Sequence, residues 1–200
     1  MNGKTLIDAL LQRPEVSEHI DTLREHHEDS AEHSVRVGIS AAELGYKNEL
    51  PEEDIETLGL AGLLHDLGKH SVPDEILSKP AELDASERAT ISGHPRQGFI
   101  KLDHPSFKNV RKIIVGHHEY KTGPYPRTAT DRRSVPRETE DRRNGDEKIS
   151  ILTQILAAVD MFDALKSRRA YKEPFSKETI GKIMREEFTG NKLFVEQLLG

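Results

Sequence analysis

The chain has 200 residues, of which 34% are hydrophobic and 32% are charged, and its formal net charge is −6. This length can bury one substantial core, so we expect a single domain. The net charge argues against broad electrostatic binding to nucleic acid or to an anionic membrane. The absence of cysteine excludes disulfides, thiolate metal sites and a cysteine nucleophile. We recognise no signal peptide and no run of about 20 apolar residues, so we expect a cytoplasmic protein.

Apolar residues at helical spacing predict two short N-terminal helices, which Pro14 divides. We expect these helices to form an extension over residues 1–28 that packs on the core. The next apolar stripe predicts a helix from about Ser30 to Leu44. Gly45 should end this helix as its C-terminal cap.

Pro51 and the acidic residues after it predict the start of a second core helix. Proline fits the first helical position, and acids stabilise the positive end of the helix dipole. We expect this helix to run to His65 and to end near Gly68. The sequence LHDLGK, residues 64–69, therefore falls at a helix end.

Asp84 and Glu87 have the spacing of a capping box. They open a predicted helix that reaches about Leu102. Because proline cannot donate a backbone hydrogen bond, Pro95 should bend this helix just after His94.

Apolar residues from Val110 onward predict a fourth core helix, which continues through His117 or His118 and breaks at Gly123. Residues 127–147 carry arginines and acids but almost nothing apolar. This composition predicts a mobile loop outside the core.

The segment from Lys148 to about Lys166 is apolar on two faces, which predicts a central and well buried helix. Asp160 and Asp163 within it would be costly to bury unless they are paired or bound to metal. Residues 176–200 predict one or two further short helices. We find no alternating strand pattern, so the predicted fold is all-α.

The chemistry of the chain is indicated by histidines and carboxylates that fall within these helices or at their ends. Nitrogen and carboxylate ligands suit a hard or borderline ion such as iron or manganese. His65 and Asp66 are adjacent and can hold metal ions together, with Asp66 as the bridge. Two ions that share a carboxylate and a bridging hydroxide make a nucleophile at neutral pH, which predicts a metal-dependent phosphohydrolase. Lys69 would neutralise a phosphate oxygen or assist the leaving group.

The candidate metal ligands come from every core helix of the prediction. They are His33, His65, Asp66, His94, His117, His118, Asp160 and Asp29. We expect His65, His33 and Asp160 to serve one ion, and His94 with one or both of the paired histidines to serve the second. Asp29 could complete a third site, but an N-cap for the helix that begins near Ser30 explains an aspartate there equally well.

These motifs resemble the HD-GYP subgroup of the HD-domain phosphohydrolases, an all-helical family of bacterial cyclic di-GMP phosphodiesterases. The resemblance covers roughly residues 29–172. It is carried by HSVRV from His33, LLHDLGKHSVPDEILSKPAELD from Leu63, HPRQG from His94, HHE from His117 and AAVDMFDALKSRRAYK from Ala157. It implies an HD-domain bundle of about five core helices over residues 29–175, with the helices of residues 176–200 packed on the same domain.

The resemblance also implies the chemistry. The same eight side chains would bind two or three divalent ions, with iron or manganese favoured. Lys69, Arg169 and Lys172 would contact substrate phosphate, and cyclic di-GMP would be hydrolysed to linear pGpG. The family motif departs at residues 122–126, where TGPYP is one residue shorter and lacks an aspartate and a glycine.

Three functions therefore remain open on the sequence. The leading one is a cyclic dinucleotide phosphodiesterase. The shortened loop favours, as alternatives, an HD phosphohydrolase for another nucleotide or phosphoester, or a non-catalytic module that binds a nucleotide or a signalling partner. We expect no nucleic-acid or membrane partner, and the sequence leaves the oligomeric state undetermined.

Overall fold

The computed structural model describes residues 2–122, 147–167 and 175–200. Within these ranges the chain forms α-helices and two 3₁₀ helices, and no strand. Lys121 and Phe188 form an isolated antiparallel β-bridge within these ranges. The all-α prediction is confirmed.

The helices follow one another through mostly short connections. In chain order they are α1 (Gly3–Leu10), α2 (Pro14–His26), α3 (Glu28–Lys47), α4 (Glu52–Leu64), α5 (Asp74–Leu77), α6 (Ala85–Ser92), α7 (His94–Lys101), α8 (Lys108–Ile114), α9 (Glu147–Lys166), α10 (Lys177–Glu187) and α11 (Lys192–Leu199). The 3₁₀ helices are Leu67–Ser71 and Pro105–Phe107. In the described part of the chain, no helix is long and apolar enough to cross a membrane.

The two N-terminal helices are divided where the sequence predicts, because Pro14 opens α2. Asn2 caps α1 by accepting a hydrogen bond from the Thr5 amide at 2.8 Å. Ile7 and Leu10 of α1 are fully buried and belong to the same hydrophobic cluster as the central helices. Helices α1 and α2 thus share the core of the following helices.

Helices α3 and α4 pack against each other through facing glycines. A Cβ atom on Gly62 would lie 2.5 Å from the Cα atom of Gly38, closer than real contacts allow. A side chain at Gly62 would push the helices apart. This close approach places the end of α4 beside the middle of α3.

The predicted end of α3 at Gly45 is wrong, because the helix continues to Lys47. Gly45 instead packs against α4, where a Cβ atom would lie 3.2 Å from side-chain atoms of Ile55 and Leu58. The chain leaves the helix at Glu49, whose φ is 53°. Gly45 therefore serves helix packing rather than capping.

The helix predicted from Asp84 to Leu102 is in fact two helices, α6 and α7. The capping box is confirmed, since Asp84 accepts from the Glu87 amide at 2.9 Å and Glu87 accepts from the Asp84 amide at 2.8 Å. The break falls at Gly93, before His94, because Pro95 occupies the first turn of α7, where its missing N–H needs no partner. The predicted single bent helix is wrong.

The central position of α9 is as predicted. Ile155, Leu156 and Val159 are fully buried on this helix. The helix begins at Glu147 and ends at Lys166, and the helices α10 and α11 of the C-terminal segment contact it. The mobile loop predicted over residues 127–147 lies outside the described residues except for its last residue, which opens α9.

Candidate metal centre

Seven of the eight candidate ligands converge at the floor of one cleft. They come from α3, the end of α4, the start of α7, the turn after α8, and α9. In that order they are His33, His65 with Asp66, His94, His117 with His118, and Asp160. The prediction that the fourth core helix carries the paired histidines is wrong, because α8 ends at Ile114 and the turn after it holds them. Residues far apart in the sequence thus form one cluster in the fold.

Asp66 lies at the centre of this cluster and is only 1% exposed. Its Oδ1 atom lies 3.2 Å from Nε2 of His94. Its Oδ2 atom lies 3.4 Å from Nε2 of His65 and 3.7 Å from Nε2 of His33. The two carboxylate oxygens therefore face different histidines, as a carboxylate that bridges two ions would require.

Asp160 approaches the same cluster from α9. Its Oδ1 atom lies 3.0 Å from Nε2 of His33 and 3.6 Å from Nε2 of His65. Its Oδ2 atom lies 3.9 Å from Nδ1 of His118. A carboxylate in this position can bind the same metal ion as His33 and His65, or the same ion as His118.

The cluster contains three groups whose candidate ligand atoms lie within 4.8 Å of one another. The groups are His33, His65 and Asp66, then His65, His117 and Asp160, then His94, His117 and His118. Each offers three nitrogen or oxygen ligands, which come from at least two separate segments of the chain. Two of the groups share His65 and two share His117, so the candidate sites are neighbours.

Backbone carbonyl groups fix the rings of three of these histidines. The Nδ1–H groups of His65, His94 and His117 donate to the carbonyl oxygen of the residue three positions earlier, at 2.8, 2.8 and 2.5 Å. A carbonyl can only accept, so Nδ1 carries the proton in each ring. In the neutral ring the Nε2 lone pair then faces the cluster, as a metal ligand requires.

His65 gives the clearest sign that the cluster suits a metal ion. Its Nε2 atom is fully buried and makes no hydrogen bond with any described residue. A buried polar atom without a partner is costly, and natural proteins seldom leave one unsatisfied. The imidazole and carboxylate donors around this atom fit a divalent transition-metal ion.

The two carboxylates of the cluster are held in their charged form. Burial opposes ionisation of Asp66, but nearby His65 and Lys69 outweigh it and hold its pKa well below the usual range. Burial likewise opposes ionisation of Asp160, but the hydrogen-bonded His33 and the neighbouring His65 outweigh it and hold the pKa of Asp160 well below its ordinary value. Ionised carboxylates are the form that binds cations.

The paired histidines are held in their neutral form. Burial, with His118 beside it, lowers the pKa of His117 well below its ordinary value. Burial lowers the pKa of His118 to about 3, although Asp160 opposes this shift. Both rings are therefore neutral at physiological pH, which is the state that coordinates metal.

His33 differs from the other rings, because both of its nitrogens face carboxylates. Its Nδ1 atom lies 2.7 Å from Oδ2 of Asp163, and its Nε2 atom lies 3.0 Å from Oδ1 of Asp160. Burial lowers its pKa, but these hydrogen bonds outweigh burial and raise the pKa to about 9. Without metal, His33 thus carries both protons at neutral pH.

Asp29 is separate from the cluster. It is exposed and lines the same cleft, but it belongs to none of the candidate ligand groups among the described residues. The alternative that Asp29 caps the helix is wrong, because His27 is the N-cap and accepts from the Ser30 amide at 3.2 Å. Asp29 lies in the first turn of α3.

Lys69 lines the cleft beside the cluster, and its Nζ atom lies 2.5 Å from Oδ2 of Asp66. The other predicted phosphate contacts, Arg169 and Lys172, lie outside the described residues, as do residues 123–126 of the altered loop. The structure therefore places one of the three predicted phosphate-binding cations.

The cleft above the cluster has a volume of about 910 Å³. Its apolar lining comes from α5, α6, α9 and nearby residues, namely Ile76, Leu77, Leu83, Ile91, Met161, Leu165 and Phe175. Such a combination of apolar walls and a few polar groups is typical of small-molecule sites.

Sequence reasoning assigned no role to two arginines of this cleft. The first is Arg36, which forms an ion pair with Asp163. Two lysines of the cleft are also paired, Lys69 with Asp66 and Lys79 with Glu87. Arg88, in contrast, lines the cleft without an ion pair to any carboxylate among the described residues. No local sequence signal marks Arg88, because its relation to the cleft depends on how α6 packs.

Comparisons with known proteins agree with this geometry. The sequence model of the family described as HD domain matches residues 30–165. The chain is 33% identical over 168 residues to 3′3′-cGAMP-specific phosphodiesterase 2 of Vibrio cholerae serotype O1, an alignment that covers 82% of this chain and 28% of that protein. It is 32% identical over 170 residues to a cyclic di-GMP phosphodiesterase of Pseudomonas aeruginosa, covering 82% of this chain and 37% of that protein.

A third relative is the cyclic di-GMP phosphodiesterase response regulator RpfG of Xanthomonas campestris pv. campestris. It is 33% identical over 144 residues, covering 70% of this chain and 33% of that protein. The chain thus spans about a third of the length of these curated relatives. Because the family match takes in more than half of the chain and the relatives are of the HD-GYP type, the chain belongs to the HD domain family, in its HD-GYP group.

Proposed function

We propose that this chain is a metal-dependent phosphodiesterase that hydrolyses a cyclic dinucleotide, with cyclic di-GMP converted to linear pGpG as the leading reaction. The observation that carries the proposal is the cluster of histidines and ionised carboxylates around Asp66 at the floor of a cleft of about 910 Å³. The relatives, which are named as cyclic di-GMP or 3′3′-cGAMP phosphodiesterases, support this substrate class.

Phosphohydrolases of this family are metal-dependent. We assign one ion to His33, His65, Asp66 and Asp160, and a second to Asp66, His94, His117 and His118. Iron or manganese is favoured by the mixture of imidazole and carboxylate ligands without thiolate. When bound, such ions polarise the phosphate and lower the pKa of the attacking water.

The residues of the chain have separate roles in this reaction. Lys69 lies at the edge of the cluster, where its ammonium group can neutralise a phosphate oxygen of the substrate. Water adds its hydroxyl group to phosphorus and its remaining proton goes to the ribose oxygen that leaves, so the ring opens to a linear dinucleotide. The apolar walls of the cleft would hold the two bases and exclude water from them.

Arg88 is the cation that we assign to substrate rather than to the protein interior. An arginine without a carboxylate partner can bind a phosphate group in bidentate fashion or stack on a base. We place Arg169 and Lys172 in the same role on the strength of the family motif. The catalytic unit that we propose is residues 29–175, with residues 1–28 and 176–200 packed on it.

The altered TGPYP loop keeps a second candidate open, namely hydrolysis of another nucleotide or phosphoester. The same departure leaves room for a module that binds a nucleotide, or a signalling partner, without hydrolysis. The alternatives differ in which substrate is hydrolysed, or in whether any substrate is hydrolysed, so one assay can decide among them.

The deciding experiment measures turnover by protein loaded with manganese or, under exclusion of air, with iron(II). The substrates are cyclic di-GMP, 3′3′-cGAMP, the linear dinucleotide and mononucleotides, and Asp66→Ala is the control. Turnover of a cyclic dinucleotide that Asp66→Ala abolishes supports the proposal. Preferred turnover of mononucleotides would favour the second candidate, and tight binding without any turnover would favour the non-catalytic module.

A further inference from the structure

We propose that Asp163 is a positioning residue, held in place by Arg36, which orients His33 and strengthens it as a metal ligand. This inference rests on the proposed function, because it assumes that His33 binds an ion. It adds a carboxylate and an arginine, neither of which is among the eight candidate ligands, to the machinery of the site.

The first support is the geometry around Asp163, which is 8% exposed. Its Oδ2 atom accepts from Nδ1 of His33 at 2.7 Å and from Oγ of Ser167 at 3.1 Å. Arg36 donates from Nε to Oδ1 at 3.0 Å and from Nη2 to Oδ2 at 3.1 Å. Two helices, α3 and α9, are joined by these bonds beside the metal cluster.

These hydrogen bonds also show what Asp163 does not do. An ionised carboxylate has about four acceptor positions, and donors from three described residues already occupy most of them. Asp163 belongs to none of the candidate ligand groups in the described part of the chain. It therefore acts on the site through His33 rather than by direct coordination.

The second support is the contrast between His33 and the other histidines of the cluster. His65, His94 and His117 are oriented by backbone carbonyl groups of their own chain segments. A carboxylate orients His33, and a carboxylate hydrogen-bonded to Nδ1 makes the ring a more basic ligand. The affinity of the ion bound by His33 is thus one that the protein can set through a side chain.

Arg36 has a defined part in this arrangement. Its two-point contact keeps Asp163 in one rotamer and balances the carboxylate charge beside a cluster that already contains Asp66 and Asp160. Without Arg36, three carboxylates would compete for the cations of the site. Held by Arg36, Asp163 can therefore keep a negatively charged oxygen against Nδ1 of His33 at little electrostatic cost.

The test measures manganese(II) binding by titration calorimetry and by electron paramagnetic resonance of the free ion, without any substrate. The variants are Asp163→Asn, which nearly keeps the shape, and Asp163→Ala, which removes the acceptor. The matched control is Glu196→Gln, because Glu196 forms a similar two-point contact with Arg185 on the surface at 2.7 and 2.8 Å. Thermal unfolding of each metal-free protein monitors folding.

We expect Asp163→Asn to weaken one of two manganese sites by about 10- to 100-fold and to leave the other unchanged. Asp163→Ala should weaken the same site further, and Glu196→Gln should have no effect on either. Excess manganese should restore the kcat of Asp163→Asn with KM unchanged, which a general loss of structure would not allow.

The outcomes separate this inference from the proposed function. If the wild-type protein binds two manganese ions and both Asp163 variants bind them equally well, the positioning role is wrong. If Asp163→Asn lowers the affinity of both sites alike and also unfolds at a much lower temperature, Asp163 is a structural residue and the inference fails. If the wild-type protein binds no metal, the proposed function fails together with the inference.

Discussion

Gly68 and His94 meet so closely that a Cβ atom on residue 68 would lie 1.9 Å from the carbonyl oxygen of His94. This contact packs α7 against the 3₁₀ helix Leu67–Ser71. It brings Nε2 of His94 within 3.2 Å of Oδ1 of Asp66. The glycine of the LHDLGK sequence thus has a geometric function, which is to let a ligand from another helix reach the centre of the site.

Substitution Gly68→Ala should therefore damage the metal centre. The new methyl group must push α7 away, which moves His94 and costs about 1–3 kcal/mol of stability. We expect less bound metal by elemental analysis, at least tenfold lower turnover, and a lower unfolding temperature. Gly93→Ala is the control, because a Cβ atom there would lie 3.5 Å from the Thr90 carbonyl oxygen, an ordinary contact. Equal behaviour of the two variants would contradict this account.

Substitution Asp66→Ala should remove both ions, because each oxygen of this carboxylate faces a different group of histidines. We expect turnover to fall by about a thousandfold or more, which corresponds to roughly 4 kcal/mol of transition-state stabilisation. Metal content and kcat/KM measure the effect. Asp103→Asn is the control, since Asp103 is an exposed carboxylate paired with Arg111. Retention of two ions by Asp66→Ala would disprove the bridging role.

Substitution Arg88→Ala should raise KM by about tenfold and change kcat by less than about twofold, because we place Arg88 on the substrate and away from the reacting atoms. The effect should shrink as salt is added, since screening weakens an exposed contact with phosphate. Steady-state kinetics at two salt concentrations provides the measurement. Arg24→Ala is the control, because Arg24 pairs with Asp21 on its own helix. A loss confined to kcat would argue against this placement.

Metal binding should release a proton from His33. Burial lowers the pKa of this ring, but hydrogen bonds to Asp160 and Asp163 outweigh burial and raise the pKa to about 9. Metal needs the deprotonated nitrogen, so apparent affinity should rise by about tenfold per pH unit below pH 9 and then level off. Calorimetry in buffers of different ionisation enthalpy should detect about one proton released at pH 7.5 and almost none at pH 10. Equal release at both values would be inconsistent with this pKa.

The same shift sets how the stability of the metal-free protein depends on pH. Because the pKa of folded His33, about 9, lies above that of an unfolded histidine, protonated His33 stabilises the fold fully below about pH 6.5. This contribution is lost as the pH rises through the folded value. We expect the unfolding temperature of the metal-free protein to fall between about pH 7 and 9.5. Metal-loaded protein should not show this fall, which thermal unfolding can check.

The sequence alone predicted most of the helices and the residue types of the candidate site. The boundary at Pro14 and the capping box of Asp84 and Glu87 were predictable because they depend on contacts within one helical turn. The candidate ligands could be proposed because histidines and carboxylates fall within the predicted helices or at their ends. Such sequence signals involve residues close together in the chain, so they can be recognised without knowledge of the fold.

How these local pieces are used depends instead on packing between helices that are distant in the sequence. Gly45 continues a helix because α4 packs against it, and Gly68 admits His94 because α7 crosses there. Asp29 stays out of the ligand groups although it shares a helix with His33, and Asp163 serves His33 through Nδ1. These roles depend on which helices touch and at what distance. Long-range packing sets those distances, and no pattern within a single helix contains them.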